Sequence, residues 1–309
     1  MIVARNAGEA TGRVPLLLDT DIGSDIDDAI CLAYLLAHPR CDLRGVTTVS
    51  GMPRLRASLA DAVCRAAGSN DVEIHAGTEH GIAGRTPQPE VPQAVVLDRF
   101  DHRNADEFAP NTAVTFLRDV IRSAPGEITL LSIGPMTNIA LLFVTYPEVA
   151  PLLRSLMIMG GAYSMMPFVG GAQEWNVSCD PVAARAVYRT PVSGHRSVGI
   201  NVTSRCTMPW ADAMHRFSSI GGGLAVVAAA LEQAWNHNEH VTFHDPLAAV
   251  CIFEPDVCTW RGGRVSVEMT SRRFRGATSF DPDRDGSPHQ VADRVDVDRF
   301  FARFFAVWP

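Results

Sequence analysis

Residues 14–28 read Val-Pro-Leu-Leu-Leu-Asp-Thr-Asp-Ile-Gly-Ser-Asp-Ile-Asp-Asp, an apolar run that stops abruptly in carboxylates. The run Val14-Pro15-Leu16-Leu17-Leu18 is short and uniformly apolar, which predicts a buried strand. Residues 27–38 follow with Ile30, Ala33 and Leu36 at helical spacing, and Pro39 stops them. The segment is therefore a strand, an acidic loop and a helix.

The same alternation continues outward. Residues 43–49 are rich in β-branched side chains and predict a second strand; 54–67 predict a helix ending at Gly68, and 73–76 a third strand. Residues 77–110 carry Pro87, Pro89, Pro92 and Pro110 and no periodicity. Long irregular segments in compact domains are commonly binding loops or lids. Helices are then expected at 112–123, 136–144 and 181–188, with strands at 128–133, 156–159 and 198–202. The last third is more helical. Gly221-Gly222-Gly223 precedes a helix to Trp235, and residues 244–252 and 298–306 predict two more. Late strands are expected at 265–267, 277–280 and 291–297. Strands alternating with helices imply an α/β fold: a mainly parallel, Rossmann-like open sheet flanked by helices. We expect one domain over residues 1–309, with 1–13 as a short tail. In such sheets ligands sit beyond the carboxyl ends of the strands.

Composition narrows the function. Of 309 residues, 47% are hydrophobic and 20% charged, which suits a sizeable core. A formal net charge of -7 argues against nonspecific nucleic-acid binding, which needs a basic surface. Seven scattered cysteines with no CxxC pair read as reduced thiols. Residues 1–13 have no apolar h-region, and the most apolar stretch, 224–231, is too short to span a membrane. The expectation is a soluble cytoplasmic protein.

Asp19, Asp21, Asp25, Asp27 and Asp28 crowd into ten residues at the first strand exit. Carboxylates this dense repel one another unless a cation compensates them. Hard oxygen donors suit Ca²⁺ or Mg²⁺ better than zinc. Gly23 permits the tight turn, and Asp27 and Asp28 fall where the next helix dipole favours acids. A purely structural reading is an acidic turn that caps a helix. The opening Leu-Leu-Leu-Asp-Thr-Asp also resembles haloacid-dehalogenase-type phosphatases, where the first Asp is the nucleophile. Those carry Thr or Val two residues after the second Asp, where this chain has Gly23, and they lack the further acids.

Other strand exits carry polar groups. Residues 132–140 read SIGPMTNIA, a strand, turn and helix start, and 174–181 read EWNVSCDP. Asp180 is expected to cap a helix that begins at Pro181. Glu174 and Asn176 have no such structural duty by sequence and suit sugar hydroxyls. In His244-Asp245-Pro246 the residues alone favour Asp245 as a helix cap, with His244 incidental.

Together these segments resemble the inosine-uridine-preferring nucleoside hydrolase family. The resemblance rests on Asp19 to Ala29, GVTTVSG at 45–51, GPMTNIA at 134–140, EWNVSCDPVAA at 174–184, His244 to Pro246 and Arg275-Gly276-Ala277-Thr278, in the family's order. It implies calcium-dependent hydrolysis of a nucleoside to free base and pentose. The family's usual loop is D-x-D-x-G-x-D-D-A, and this one is a two-residue-longer form. Asp21 matches the metal ligand that activates water, Asp28 a bidentate ligand, Thr137 a ligand through its main-chain carbonyl, and Asp245 the final carboxylate ligand. Asp27, Glu174 and Asn176 match ribose-binding residues, with Trp175 an aromatic beside them. His244 matches a histidine near the leaving base. Asp19 and Asp25 receive no role. The resemblance also suggests a homodimer or homotetramer.

Two positions depart from the family. Asn often follows the glycine of the second-strand exit, where this chain has Met52, and a second Asn would fall at Phe168. Both changes put an apolar group where a hydrogen-bonding one reaches the sugar. The family's histidine-glycine loop after the third strand has no match; His102 reads as a surface histidine, and His80 has no assigned part. Two other readings stand beside the hydrolase: a degenerate member that binds nucleoside or calcium without turnover, and a metal-dependent phosphatase. Base recognition is expected from residues 77–110 and 204–241.

Overall fold

The computed structural model describes residues 12–163, 173–233, 239–282 and 289–309. The opening apolar run forms strand β1 (Val14–Thr20). Its side chains alternate between faces: Leu16 and Leu18 enter one core and Leu17 the other. Helix α1 (Asp27–Ala37) leads to β2 (Cys41–Thr48), parallel to β1, and α2 (Pro53–Ala66) leads to β3 (Ile74–Ala76). Beyond the proline-rich segment come α3 (Ala113–Ser123), β4 (Thr129–Ser132), α4 (Thr137–Thr145) and β5 (Ser155–Met159). Helices α5 (Trp175–Cys179) and α6 (Pro181–Arg189) precede β6 (His195–Val198) and α7 (Ile200–Thr203).

The C-terminal third holds β7 (Thr207–Pro209), α8 (Trp210–Ile220), α9 (Gly223–Gln233), β8 (His240–Thr242) and α10 (His244–Phe253). It ends with β9 (Cys258–Val267), β10 (Thr278–Pro282), β11 (His289–Val295) and α11 (Val297–Phe305). One nine-stranded sheet runs β10-β9-β11-β6-β5-β4-β1-β2-β3, and β7 and β8 form a small separate pair. Within the large sheet only β9 runs against its neighbours. The expected α/β, mainly parallel sheet is the observed one.

Helices cover both faces. One core joins residues of α1, α2, α9, α10 and α11; the other joins α3, α4 and α6. From β1 the chain moves to β2 and β3 on one side, then returns to β4, β5 and β6 on the other. The strand order therefore reverses between β1 and β4, the position where open α/β sheets form a crevice. The acidic loop leaves β1 there, and the turn GPMTN leaves β4 beside it.

Several expectations change. The apolar run 198–202 does not form a strand: β6 covers His195–Val198, and Gly199 starts α7. Gly199 passes so close to Gly161 that a Cβ would sit 2.6 Å from its carbonyl oxygen, so the chain must leave the sheet there. Helices α5 and α8 were not legible. Part of the proline-rich segment winds into 3₁₀ turns over Pro92–Arg99. The expected helix to Trp235 is described as far as Gln233; Trp235, Phe168 and residues 1–11 of the tail lie outside the described residues. All seven cysteines are buried and unpaired. Among the described residues, no helix is long and apolar enough to cross a membrane.

Candidate active site

The acidic loop is buried, not solvated. Asp19 is fully enclosed, and Asp21, Asp27 and Asp28 are each only 4% exposed. Asp25 alone is exposed, with its carboxylate accepting from the Ile26 N–H at 2.7 Å. Gly23 turns the loop at φ 111°, and a Cβ there would meet the Val91 side chain at 2.4 Å. Only glycine suits both demands.

Each acid then finds a distinct setting. Asp19 lies between Thr47 of β2 and Ser132 of β4. One carboxylate oxygen accepts from Thr47 Oγ1 (2.5 Å) and Asn138 Nδ2 (2.8 Å); the other is buried without a partner. Burial pushes its pKa up to about 7. Asp19 thus braces β1 to β2 and α4 and does not border the cavity described below, which removes it as a phosphatase nucleophile. Burial likewise raises Asp21 to about 6, although the Arg56 charge opposes the shift. Gly134 lies directly against Asp21. A Cβ there would stand 2.8 Å from the Asp21 nitrogen and 2.9 Å from Asp21 Oδ1.

Asp27 and Asp28 open α1, whose N-cap Ile26 offers no capping side chain. Asp28 Oδ1 accepts from the Thr20 hydroxyl. Asp245 enters from the far end of the sequence. The structure overturns its reading as a helix cap: α10 is capped positionally by Phe243, with no side-chain cap, and Asp245 sits in the first turn with its carboxylate unspent. Its backbone N–H donates to Asp27 Oδ2 at 3.2 Å. One oxygen from each of Asp27, Asp28 and Asp245 lies within 4.8 Å of the others. Burial, and then repulsion from neighbouring acids that include Asp21, hold all three well above the ordinary carboxylate range. A hard dication would reverse that penalty, so the donor set fits calcium or magnesium. The trio contains Asp27, which the resemblance gave to ribose, and not Asp21, which the resemblance gave to the metal.

The segment Glu174–Asn176 closes the other side. Contrary to expectation, both polar residues also serve the fold. Glu174 caps α5 and accepts from the N–H groups of Gly161 (3.0 Å), Asn176 (2.7 Å) and Val177 (3.0 Å). Burial still lifts its pKa to about 7. Asn176 Nδ2 donates to the carbonyls of Ile133 (2.7 Å) and Met159 (3.1 Å), tying together the exits of β4 and β5. Trp175 is half exposed. His244 pairs through Nδ1 with Thr203 Oγ1 at 2.7 Å, and burial lowers its pKa.

Asp21, Asp27, Asp28, Glu174, Trp175, Asn176, His244 and Asp245 border one cavity of about 150 Å³. A second cavity, about 610 Å³, adjoins it through Ser24, Asp25, Trp175 and His244. Its walls include Gln88 and Gln93 from the proline-rich segment and Trp210 and His240 from the late helical region. A still larger cavity of about 700 Å³ between α6 and β9 holds none of the acids, so size does not locate the chemistry.

Thr137 stands apart from this set. It borders neither cavity, and its hydroxyl donates to Asp180 Oδ2 at 2.8 Å. Asp180 caps α6 as expected, accepting from Ala183, and also receives the Ile82 N–H at 2.7 Å. Met52 is 47% exposed, left-handed at φ 55°, and outside both cavities. His80 is exposed and bonds to Thr86; His102 bonds to the Phe100 carbonyl at 2.8 Å; neither reaches the site. Sequence reading missed Gly134 and Asn138. A glycine opening the β4 exit turn was the available signal for the first. The second, buried inside GPMTN, offered none beyond its motif.

The profile of the family described as inosine-uridine preferring nucleoside hydrolase matches residues 16–302. A non-specific ribonucleoside hydrolase RihC from Salmonella newport is 32% identical over an alignment covering 97% of this chain and 100% of that protein. The solved structure of a plant nucleoside hydrolase, PpNRh1, superposes with a TM-score of 0.79 at 25% identity, covering 95% of this chain and 98% of the other. A purine-preferring ribonucleoside hydrolase from Gardnerella vaginalis shares the fold, with a TM-score of 0.80 at 24% identity and coverage of 95% and 97%.

Proposed function

The chain belongs to the inosine-uridine preferring nucleoside hydrolase family and is an N-glycosyl hydrolase, and from that premise we propose that it cleaves a nucleoside or modified nucleoside to base and pentose, with calcium at the acidic cluster and water activated by Asp21. One observation carries this reading: the buried acids and Glu174-Trp175-Asn176 converge on a single cavity.

Asp21, Asp28, Asp245 and the Thr137 main-chain carbonyl are the proposed ligands. Asp27 stands close enough to share the ion or to bridge it to the sugar. A bound calcium ion would supply the positive charge that acidifies water and grips a sugar diol. Asp27, Glu174 and Asn176 bind ribose hydroxyls. Cleavage builds oxocarbenium character at the anomeric carbon, as in other glycoside hydrolyses, and the surrounding carboxylates stabilise it. The bond from the anomeric carbon to the base nitrogen breaks with its electron pair leaving on that nitrogen, the water oxygen takes its place, a water proton passes to Asp21, and the base nitrogen takes up a proton from solvent as it departs. His244, held through Nδ1 by Thr203, orients the departing base in the larger cavity. A cytoplasmic homodimer or homotetramer completes the reading.

A panel of nucleosides assayed for released reducing sugar, with and without a calcium chelator, tests it. We expect release that the chelator abolishes and that calcium restores. Absence of release from every nucleoside, despite bound calcium, would sink the hydrolase reading. Asp21→Ala is expected to lower kcat by about 10²–10⁴-fold, the usual contribution of a general base. Wild-type turnover in that variant would remove Asp21 from its role.

A further inference from the structure

Helix α2 places an arginine at the centre of the molecule. Arg56 is fully buried, and its guanidinium serves six acceptors in three segments. Nε donates to the Gly51 carbonyl at 2.8 Å. Nη1 donates to the carbonyls of Asp21 and Ile22, the latter at 3.0 Å, and to Ser24 Oγ at 2.8 Å. Nη2 reaches the carbonyls of Gln88 (3.2 Å) and Glu90 (3.3 Å). All six acceptors are uncharged oxygens.

A buried guanidinium without a directly bonded carboxylate is costly unless nearby charge compensates it. Here burial lowers the Arg56 pKa, and the neighbouring Asp21 and Asp28 oppose that shift. The relation is mutual, because Arg56 in turn opposes the rise in the Asp21 and Asp28 pKa values. The cation thus sits behind the acidic loop, bonded to its backbone and not to its carboxylates. Asp21, Asp25, Asp27 and Asp28 of the loop all border the cavity. The same fork holds the proline-rich segment, which packs so tightly here that a Cβ on Gly51 would lie 2.4 Å from the Gln88 carbonyl oxygen.

We propose that Arg56 is a positioning residue of the active site: its fork fixes the Asp21–Ser24 backbone against the Gln88–Glu90 segment. The catalytic part of this inference rests on the hydrolase reading above; the ion-binding and loop-ordering parts do not.

Arg56→Lys in the full chain separates positioning from mere stability. It keeps the charge, but a single ammonium with three donors cannot span three segments. Three measurements apply: calcium titration calorimetry, amide exchange, and kcat and KM. We expect amides of residues 20–28 and 86–93 to exchange about tenfold faster while those of β1, β4 and β5 stay protected. Calcium affinity should fall about tenfold. The kcat should fall about 10–100-fold, as for a misplaced reacting group, and saturating calcium should not restore it. A folded lysine variant with wild-type calcium affinity, loop exchange and kcat overturns the proposal. If the wild-type protein cleaves no nucleoside, the hydrolase reading fails, and calcium affinity and exchange alone judge Arg56. Should Arg56→Lys not fold, Ser24→Ala removes one acceptor without changing charge. It should speed exchange over residues 20–28 and weaken calcium binding, each about threefold; no change in either overturns the proposal.

Discussion

Replacing Asp28 by Asn should raise the stability of the metal-free protein and abolish its stabilisation by calcium. Asp27, Asp28 and Asp245 present oxygens within 4.8 Å of one another. Two unit charges at 4.8 Å repel by about 3.5 kcal/mol at an effective dielectric of about 20. Asp28 takes part in two of the three pairs, so full ionisation would burden it with about 7 kcal/mol. Proton uptake caps that figure, since crowded buried carboxylates prefer to stay neutral. A realised gain of about 1–3 kcal/mol on neutralising Asp28 is therefore expected. Asn retains an Oδ1 to accept from Thr20, so the local bond survives the change. At about 2 °C per kcal/mol for a chain of this size, Tm should rise by about 2–6 °C in chelator. Calcium at 100-fold excess over its dissociation constant should stabilise the wild-type protein by about 2.7 kcal/mol and the variant hardly at all. The two proteins should thus exchange rank between chelator and calcium in a thermal melt. A variant that melts below wild type in chelator, or that calcium stabilises as strongly, would refute the idea that these acids repel one another until an ion joins them.

Two further outcomes follow from single contacts. Gly134→Ala should fold but lose about 10²-fold in kcat/KM, because its Cβ would stand 2.9 Å from Asp21 Oδ1 and must displace it; wild-type kinetics in the folded variant would show that the turn gives way freely. His38 stacks on Phe253 with ring centroids 3.8 Å apart, accepts from the Arg40 N–H, and is pushed by burial from 6.5 to about 4. A histidine with a depressed folded pKa stabilises fully above its unfolded value and loses that contribution as pH falls, here from about 6.5 to about 4. The loss should reach about 1–3 kcal/mol, and His38→Asn should flatten that part of the stability profile. An unchanged acid limb would assign the loss to other groups.

Legibility followed the kind of signal each residue carried. The strand, acidic loop and helix at residues 14–37 were readable because three local patterns agreed, and they set the parallel sheet. Strand 198–202 failed because a close passage against Gly161, which no local pattern records, takes Gly199 out of the sheet. The cap reading of Asp245, made from the residues alone, failed because an acid before a proline resembles a cap, and only the fold shows Phe243 in that position. Glu174 was read for the sugar alone, and its cap on α5 went unread because a cap is visible only once the helix is. Arg56 escaped because an arginine in a helix ordinarily points to water. A signal did exist: Arg56 shares its helical phase with Ala60 and Val63, both fully buried.

These misses share a cause that bears on how the site works. The acidic cluster is built from charges whose compensation lies elsewhere in the chain. Asp27 and Asp28 begin α1, and Asp245 begins α10, and neither helix has a capping side chain. The first-turn carboxylates therefore face N–H groups that no cap has taken, at the positive ends of two helix dipoles. Arg56 adds a full charge from a third helix. Dipole ends carry only about half a charge each, so together these sources fall short of the four buried carboxylates Asp21, Asp27, Asp28 and Asp245. Burial first, and repulsion from neighbouring acids second, raise the pKa values of all four. A divalent ion is of the size to close the shortfall. The fold thus holds the acids in place without neutralising them, an incomplete compensation that a cation would complete.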